Sequence, residues 1–328
     1  MGSATKPPAD WHFDGTLMLS NFRTFQQGWD TTHVLFFDSS QIPSSGLLSP
    51  DGHWFAVIQG TREVIGNVVE YKTQDITIYS TENSEKYMVE WINTFSTVHR
   101  LYGHRLYWLD NQHLLYSKGN FIDDEEWFVI NPFTQEVASW ENKFKPSKFA
   151  VAFSPDSSKA LYYEQGDQYW TLADEEHETK VAILGNIAWS SDSSQFAAYT
   201  MKPNTREVDD IALFDKDGNL IDDIFHIPDP SEVFWDVWNA NQIWSPDGHY
   251  LLFTADHVYL ADMIEKRVID TCVPTRAPTV VWSPQSHQFA LIDNFISDRQ
   301  IQIFDLERWA RYVVAYHSGS VIGWRSDD

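Results

Sequence analysis

The chain has 328 residues and a formal net charge of −24, with 47 acidic against 23 basic residues spread along its length. A surface of this charge repels phosphate backbones and anionic lipids, which argues against nucleic-acid binding and membrane association. Cys272 is the single cysteine, so neither an intramolecular disulfide nor a cysteine-based zinc site can form.

Residues 1–15 lack an apolar pattern and are predicted to form a flexible segment. Two short strands are predicted next, at 17–19 and 33–37. No run approaches the length of a transmembrane helix, and residues 1–10 hold no signal-peptide core. We therefore expect a soluble protein, either cytoplasmic or periplasmic or extracellular with a leader that is no longer present.

From residue 48 onward one motif recurs: an apolar residue, a serine, a tight turn and a strand. In its clearest copy, Ser245-Pro246-Asp247-Gly248 suits a type I turn between aromatic and β-branched flanks. Such a unit, repeated every 36 to 60 residues and made of strands alone, is typical of a β-propeller blade. The seven copies begin at Leu48, Trp108, Phe153, Trp189, Trp244, Trp282 and Trp324.

Each motif closes a strand A, and three further strands, named B, C and D, are predicted before the next motif. The last copy, at Trp324, has nothing after it, whereas the strands at 17–19 and 33–37 lack a strand A. Pairing of these terminal strands would close the ring. We predict one all-β domain over 16–328, a seven-bladed β-propeller with four-stranded antiparallel blades. Six blades are the alternative, if the terminal strands only extend existing blades.

The Trp-Ser-Pro-Asp-Gly hairpin and its following strand resemble the repeat of TolB-like and WD-repeat-like propellers, over about residues 44–328. They also resemble the propeller domain of dipeptidyl-peptidase-IV-type enzymes. Two copies depart from the pattern, at 109–111 and at Gln285. Those peptidases need a Gly-x-Ser-x-Gly elbow in a separate hydrolase domain, and no such pentapeptide occurs here. The resemblance therefore implies the fold and leaves the function open.

The motif residues with titratable side chains are interpreted as structural. Each aspartate is expected to cap its own turn, and each histidine to be a solvated turn residue, because the repeat distributes them around the ring. We predict no metal and no cofactor. The residues concerned are Asp51, Asp156, Asp192, Asp247, His53, His113, His249 and His287.

One aromatic stretch lies outside the repeat. Phe234, Trp235 and Trp238 follow Pro228 and Pro230 in a long D–A connection, and large aromatics in a polar loop are typical of recognition surfaces. The alternative is a plug that packs on the mouth of the ring.

Two B–C connections are also long, and both contain Thr-Arg-Glu-Val, with Arg62 and Arg206. Strand order places the B–C and D–A connections on one face, where functional loops are expected to gather. The alternative is an internal duplication that left a shared loop.

We predict a non-catalytic scaffold that binds a partner protein on this loop-rich face. One alternative is an enzyme, a hydrolase or lyase, with Arg100, His104 and Asp236 at the mouth of the central channel. Another is a binder of a small ligand such as a sugar.

Overall fold

The structure is a computed structural model, and it consists of β-strands joined by turns. It describes residues 5–8, 10–20, 34–37, 46–65, 68–82, 86–91, 95–97, 106–118, 126–140, 150–163, 169–202, 208–227, 243–274, 279–292, 300–316 and 320–326. Across these ranges, no helix is long and apolar enough to cross a membrane. The chain forms two compact units, Phe37–Asn142 and Met1–Phe36 with Lys143–Asp328, and each is described by itself.

Two strands precede the first motif: β1 (Thr16–Ser20) and β2 (Val34–Phe37). The unit Phe37–Asn142 then holds two sheets. Sheet 1 contains β3 (Gly46–Leu48), β4 (Trp54–Ile65), β5 (Val68–Ser80), β6 (Lys86–Trp91) and, paired with β5, β7 (Phe95–Thr97). Sheet 2 contains β8 (Leu106–Trp108), β9 (Leu114–Lys118), β10 (Glu126–Asn131) and β11 (Glu136–Ser139).

The other unit holds four four-stranded antiparallel sheets. Sheet 3 contains β12 (Ala150–Phe153), β13 (Ala160–Tyr163), β14 (Trp170–Ala173) and β15 (Glu178–Val181). Sheet 4 contains β16 (Ile183–Trp189), β17 (Gln195–Met201), β18 (Val208–Asp215) and β19 (Leu220–His226). Sheet 5 contains β20 (Ile243–Trp244), β21 (Tyr250–Thr254), β22 (His257–Asp262) and β23 (Arg267–Pro274). Sheet 6 contains β24 (Thr279–Trp282), β25 (Gln288–Ile292), β26 (Gln300–Asp305) and β27 (Ala310–Tyr316).

The chain termini share a sheet, as the unpaired final motif predicts. The last strand, β28 (Ser320–Arg325), pairs antiparallel with β1, with Thr16 opposite Arg325 and Leu17 opposite Trp324. β1 also pairs with β2, which makes a three-stranded terminal sheet. Among the described residues six sheets have at least four strands, which matches the six-blade alternative. The all-β propeller with four-stranded antiparallel blades is confirmed, and the count of seven blades stays a prediction.

The apolar cores lie between neighbouring sheets, because each four-stranded sheet has an apolar face to cover. Tyr199 of sheet 4 packs with Phe253 and Tyr259 of sheet 5. In the other unit, Ile78 of sheet 1 packs with Leu114 of sheet 2. Full burial of side chains of this size contributes about 1.5 to 3 kcal/mol each. Stability therefore comes from pairs of adjacent blades, as in other repeat folds.

Candidate functional site

The two ends of the sheets carry different connections. In four sheets the A–B turn bonds to the C–D turn. For example, Met263 N–H donates to the His249 carbonyl oxygen, and Leu306 N–H donates to the His287 carbonyl oxygen. We name this end the turn face. The B–C and D–A connections leave from the opposite end, which we name the loop face.

The turn face is built from the repeated motif, and its aspartates act as predicted. In four copies the serine hydroxyl donates to the aspartate two residues later, at 2.5 to 2.6 Å. The same carboxylate accepts a backbone N–H two residues further on, at 3.0 to 3.1 Å. The Ser190 hydroxyl and the Ser194 N–H and hydroxyl lower the pKa of Asp192 below its ordinary value. The structural interpretation of these aspartates is therefore confirmed.

The motif also joins each sheet to a neighbour. Trp108, Trp189 and Trp244 donate their indole N–H to backbone carbonyl oxygens of the preceding sheet, at 2.9 to 3.3 Å. Ser193 and Ser286 occupy the turn position that Gly248 fills in sheet 5, all with positive φ. Their hydroxyls accept the N–H of Asp156 and Asp247 from the preceding sheet. A serine is less favourable than glycine at positive φ, but its hydroxyl adds a hydrogen bond between blades that glycine cannot make.

Each motif histidine contacts a carboxylate of its own sheet. His53 contacts Glu82 at 2.8 Å, and His249 contacts the buried Asp262 at 3.0 Å. His113 and His287 likewise contact a carboxylate of their own sheet. Their side chains are 31 to 50% exposed, which agrees with the prediction of solvated turn residues.

Most predicted loop-face residues lie outside the described residues. These are Arg100, His104, Arg206, Phe234, Trp235, Asp236 and Trp238. Arg62 is described, and its position corrects one expectation. The Thr-Arg-Glu-Val of residues 61–64 is not a loop, because it lies within β4, where Arg62 pairs with Tyr71.

This part of sheet 1 is a long β-ribbon. Ladder pairing of β4 and β5 runs from Trp54 opposite Ser80 to Ile65 opposite Val68. Strand β6 covers β5 only from Gln74 to Tyr79, and β7 pairs further out, at Val69 to Tyr71. The ribbon therefore extends the B–C end of sheet 1 beyond the paired D strand, on the loop face.

In sheet 4 three polar side chains lie at the strand ends next to two long connections. Asp209 and Asp210 are the second and third residues of β18, which follows residues 203–207. His226 ends β19, shortly before residues 228–242. His226 Nδ1 lies 2.7 Å from Asp210 Oδ1. Ligand atoms of the three residues lie within 4.8 Å of one another, and such a set could hold Zn²⁺ or Mn²⁺. The 2.7 Å contact is a direct hydrogen bond, however, so His226 and Asp210 satisfy each other.

A second polar group stands at the loop face of sheet 5. The Tyr259 hydroxyl donates to Asp256 at 2.7 Å, and His257 contacts Asp270 at 3.0 Å. Burial raises the pKa of Tyr259, and Asp256 raises it further, so the hydroxyl remains a neutral donor at physiological pH.

The ring of Phe225, next to His226 in β19, lies 4.7 Å from the ring of Tyr259, so the loop-face ends of sheets 4 and 5 pack against each other. We name Asp209, Asp210, Asp256 and Asp270, with His226 and His257, the loop-face acidic cluster. It lies at the loop-face ends of sheets 4 and 5, and the segment 228–242 joins these sheets in the sequence, from β19 to β20.

One set of residues was missed by the sequence analysis. In four sheets an aspartate ends strand C or directly follows it, and its carboxylate accepts N–H groups of the C–D turn. The signal was available, because each follows the last apolar residue of its strand. The four are Asp174, Asp215, Asp262 and Asp305.

No protein-family profile and no curated protein matches this chain. Among solved structures it is similar to TolB from Acinetobacter baumannii, with 13% identity over 86% of this chain and 76% of that chain, and a TM-score of 0.42. It is also similar to oligogalacturonate lyase from Vibrio parahaemolyticus, with 16% identity, 79% and 75% coverage, and a TM-score of 0.47. At these values the likeness concerns the fold alone. The chain resembles TolB and other β-propellers, as its motif predicts, and no activity follows from this.

Proposed function

We propose that this protein is a non-catalytic scaffold that binds a partner protein through its loop face. Phe234, Trp235 and Trp238 are the apolar anchors, and Arg62 and Arg206 add basic points. The seven-blade count also belongs to this proposal, with β28, β1 and β2 as strands A, B and C of the seventh blade.

One observation supports the choice of face. On the turn face of the described residues, the connections are short and their polar side chains bond within the repeat or to the next blade. In the unit Phe37–Asn142, the ribbon leaves sheet 1 from its B–C end. In the other unit, the segment 228–242 is a D–A connection, because it joins β19 to β20. Propellers and other scaffolds present binding loops from a rigid frame. We therefore place the binding surface on the loop face.

The charge of the loop face indicates the chemistry of the partner. The loop-face acidic cluster holds four carboxylates at the ends of the two sheets that the aromatic segment joins, and their side chains lie at the surface or only partly covered. A partner that takes up the aromatics therefore meets negative charge around them. We expect a protein surface with an apolar pocket bordered by lysine or arginine, since such complementarity speeds association and excludes acidic competitors.

The test is capture of the partner from the native host, with three baits compared by quantitative mass spectrometry. The baits are the wild type, the double variant Trp235→Ala with Trp238→Ala, and Trp309→Ala, which removes an exposed tryptophan of the turn face. The proposal expects a protein that the wild type and Trp309→Ala capture alike and that the folded double variant loses. A protein captured equally by all three, or lost only with Trp309→Ala, contradicts it.

Titration of that protein, once purified, measures the effect. Truncation of aromatic anchors typically costs about 2 kcal/mol or more, which is roughly a 30-fold loss of affinity. If the double variant instead melts at a much lower temperature, the aromatics are a plug, and the loop-face proposal loses its anchors.

A further inference from the structure

The sixth copy of the motif has a serine but lacks the aspartate that accepts its hydroxyl hydrogen in other copies. Its sequence is Ser283-Pro284-Gln285-Ser286, with glutamine where four other copies have aspartate. In those copies the serine hydroxyl donates to that aspartate. Here the Ser283 hydroxyl donates to Asp14 of the N-terminal segment, at 2.7 Å. Asp14 therefore supplies, from 269 residues away, the carboxylate that the sixth motif has lost.

Gln288 holds the backbone of the same segment. Its Oε1 accepts the Asp14 N–H at 3.1 Å, and its Nε2 donates to the His12 carbonyl oxygen at 3.0 Å. Ser283 is 0% exposed and Gln288 is 6% exposed. Both are buried polar residues whose side chains are satisfied by residues 12–14, and leaving such groups unpaired is costly.

Trp11 is the second anchor of the segment. Its indole N–H donates to Asp305 at 2.8 Å, and Asp305 is only 4% exposed. Its ring packs against Tyr312 of β27, with 5.3 Å between centroids. A buried carboxylate needs such donors, because an unpaired charge in the interior is strongly unfavourable.

The backbone before Trp11 extends the sheet. Thr5 N–H donates to the Arg311 carbonyl oxygen, and Val313 N–H donates to that of Thr5, both at 3.0 Å, which adds a parallel bridge at the outer edge of β27. Edge pairing of this kind is a common mode of peptide recognition. Gly15 ends the segment with φ of 94°, and a side chain there would overlap the carbonyl oxygen of Arg325.

We propose that sheet 6 carries a peptide-binding site that selects a tryptophan followed three positions later by an aspartate, and that residues 5–15 of this chain fill the site in cis. Ser283 and Gln288 read the aspartate and its backbone, and Asp305 with Tyr312 reads the tryptophan. Because each contact is local to the segment, the same peptide binds when it comes from a second molecule. The site lies on the turn face, so it is independent of the proposed partner surface.

The test uses the full chain with Trp11→Ala and Asp14→Ala, which weakens its own segment. The probe is a fluorescent peptide of residues 5–15, titrated by anisotropy. We expect saturable binding of the probe. Peptides with the Asp14→Ala or the Trp11→Phe change should bind at least about tenfold more weakly, since a bond to a charged group is worth about 1.5 kcal/mol or more. The wild-type chain should bind the probe at least about 100-fold more weakly, because its own segment competes at high effective concentration.

Two results overturn the proposal. One is a folded double variant that binds no probe, and the other is equal binding of the wild-type and Asp14→Ala peptides. If the double variant does not fold, hydrogen exchange of the wild-type chain and of the single variant Asp14→Asn decides. The proposal requires protected amides at residues 5–15 in the wild type and faster exchange there in Asp14→Asn, with β25 unchanged. Unprotected amides in the wild type, or exchange that the variant leaves unaltered, contradict it.

Discussion

The indole N–H of Trp244 donates to the carbonyl oxygen of Ala188, 2.9 Å away in the preceding sheet. Trp244 is 7% exposed, so its ring fills the space between two blades while its one polar atom is satisfied across them. Trp189 makes the same bond to Ala152 one sheet earlier. In the third motif Phe153 takes the place of the tryptophan, and its side chain has no N–H to donate. The motif residue thus acts as a connection between blades.

Two substitutions at Trp244 separate the stability contributed by its buried ring from that contributed by its indole hydrogen bond. Trp244→Ala should lower the free energy of unfolding by about 3 to 5 kcal/mol, because a large buried ring is lost. Trp244→Phe keeps most of the ring and should cost less, about 1 to 3 kcal/mol, since the Ala188 carbonyl loses its donor. Chemical denaturation measures both, with Ile264→Ala as the control, because Ile264 is 69% exposed. Equal costs for the two Trp244 variants would contradict the role given to the bond.

The motif aspartates are predicted to affect stability and not binding. Asp247→Ala removes acceptors of the Ser245 hydroxyl and the His249 N–H and should cost about 1 kcal/mol. Asp247→Asn retains an acceptor and should cost less. Thermal melts of the two variants check this order. The structural role fails if Asp247→Ala keeps full stability but abolishes capture of the partner.

The lowered pKa of a motif aspartate, Asp192, predicts how the stability of the fold depends on pH. The pKa of Asp192 is lowered in the folded state by Ser190 and Ser194, so its contribution is full above the unfolded value of about 3.9 and disappears as pH falls through the folded value. Wild type should therefore exceed Asp192→Asn in melting temperature at pH 7, and the gap should close below about pH 4. A series of melts from pH 7 downward tests this. A gap that persists at the acid end would show that Asp192 acts through something other than its charge.

The sequence was sufficient for features that are local to the repeat. Ser-Pro-Asp-Gly specifies its turn through neighbouring residues, so the caps at Asp51 and Asp247 could be predicted without the structure. The pairing of Ser320–Arg325 with Thr16–Ser20 followed from a strand A that had no partners. Both inferences use short-range patterns that every copy of the repeat reinforces.

Other features depend on contacts that no local pattern contains. The ribbon of sheet 1 was interpreted as a loop, although the Gly66-Asn67 pair between β-branched residues is a hairpin signal. The bond of Asp14 to Ser283 joins residues 269 positions apart. Gln285 indicates that the sixth motif lacks its aspartate, but it does not indicate which residue replaces the carboxylate. The sequence predicts that residues 1–15 are flexible, whereas Thr5, Trp11 and Asp14 contact sheet 6 in the structure. Their flexibility in solution stays a prediction.

The most direct test of the proposed function is a hydrogen-exchange footprint of the partner on the intact protein. The account predicts slower exchange on complex formation in residues 59–74 of the ribbon and in residues 228–242, with the motif turn at 245–249 unchanged. Arg62→Ala should weaken binding without moving the footprint, since it removes one basic point and leaves the aromatic anchors. Protection confined to the motif turns, with none in residues 228–242, would contradict the assignment of the loop face as the binding surface.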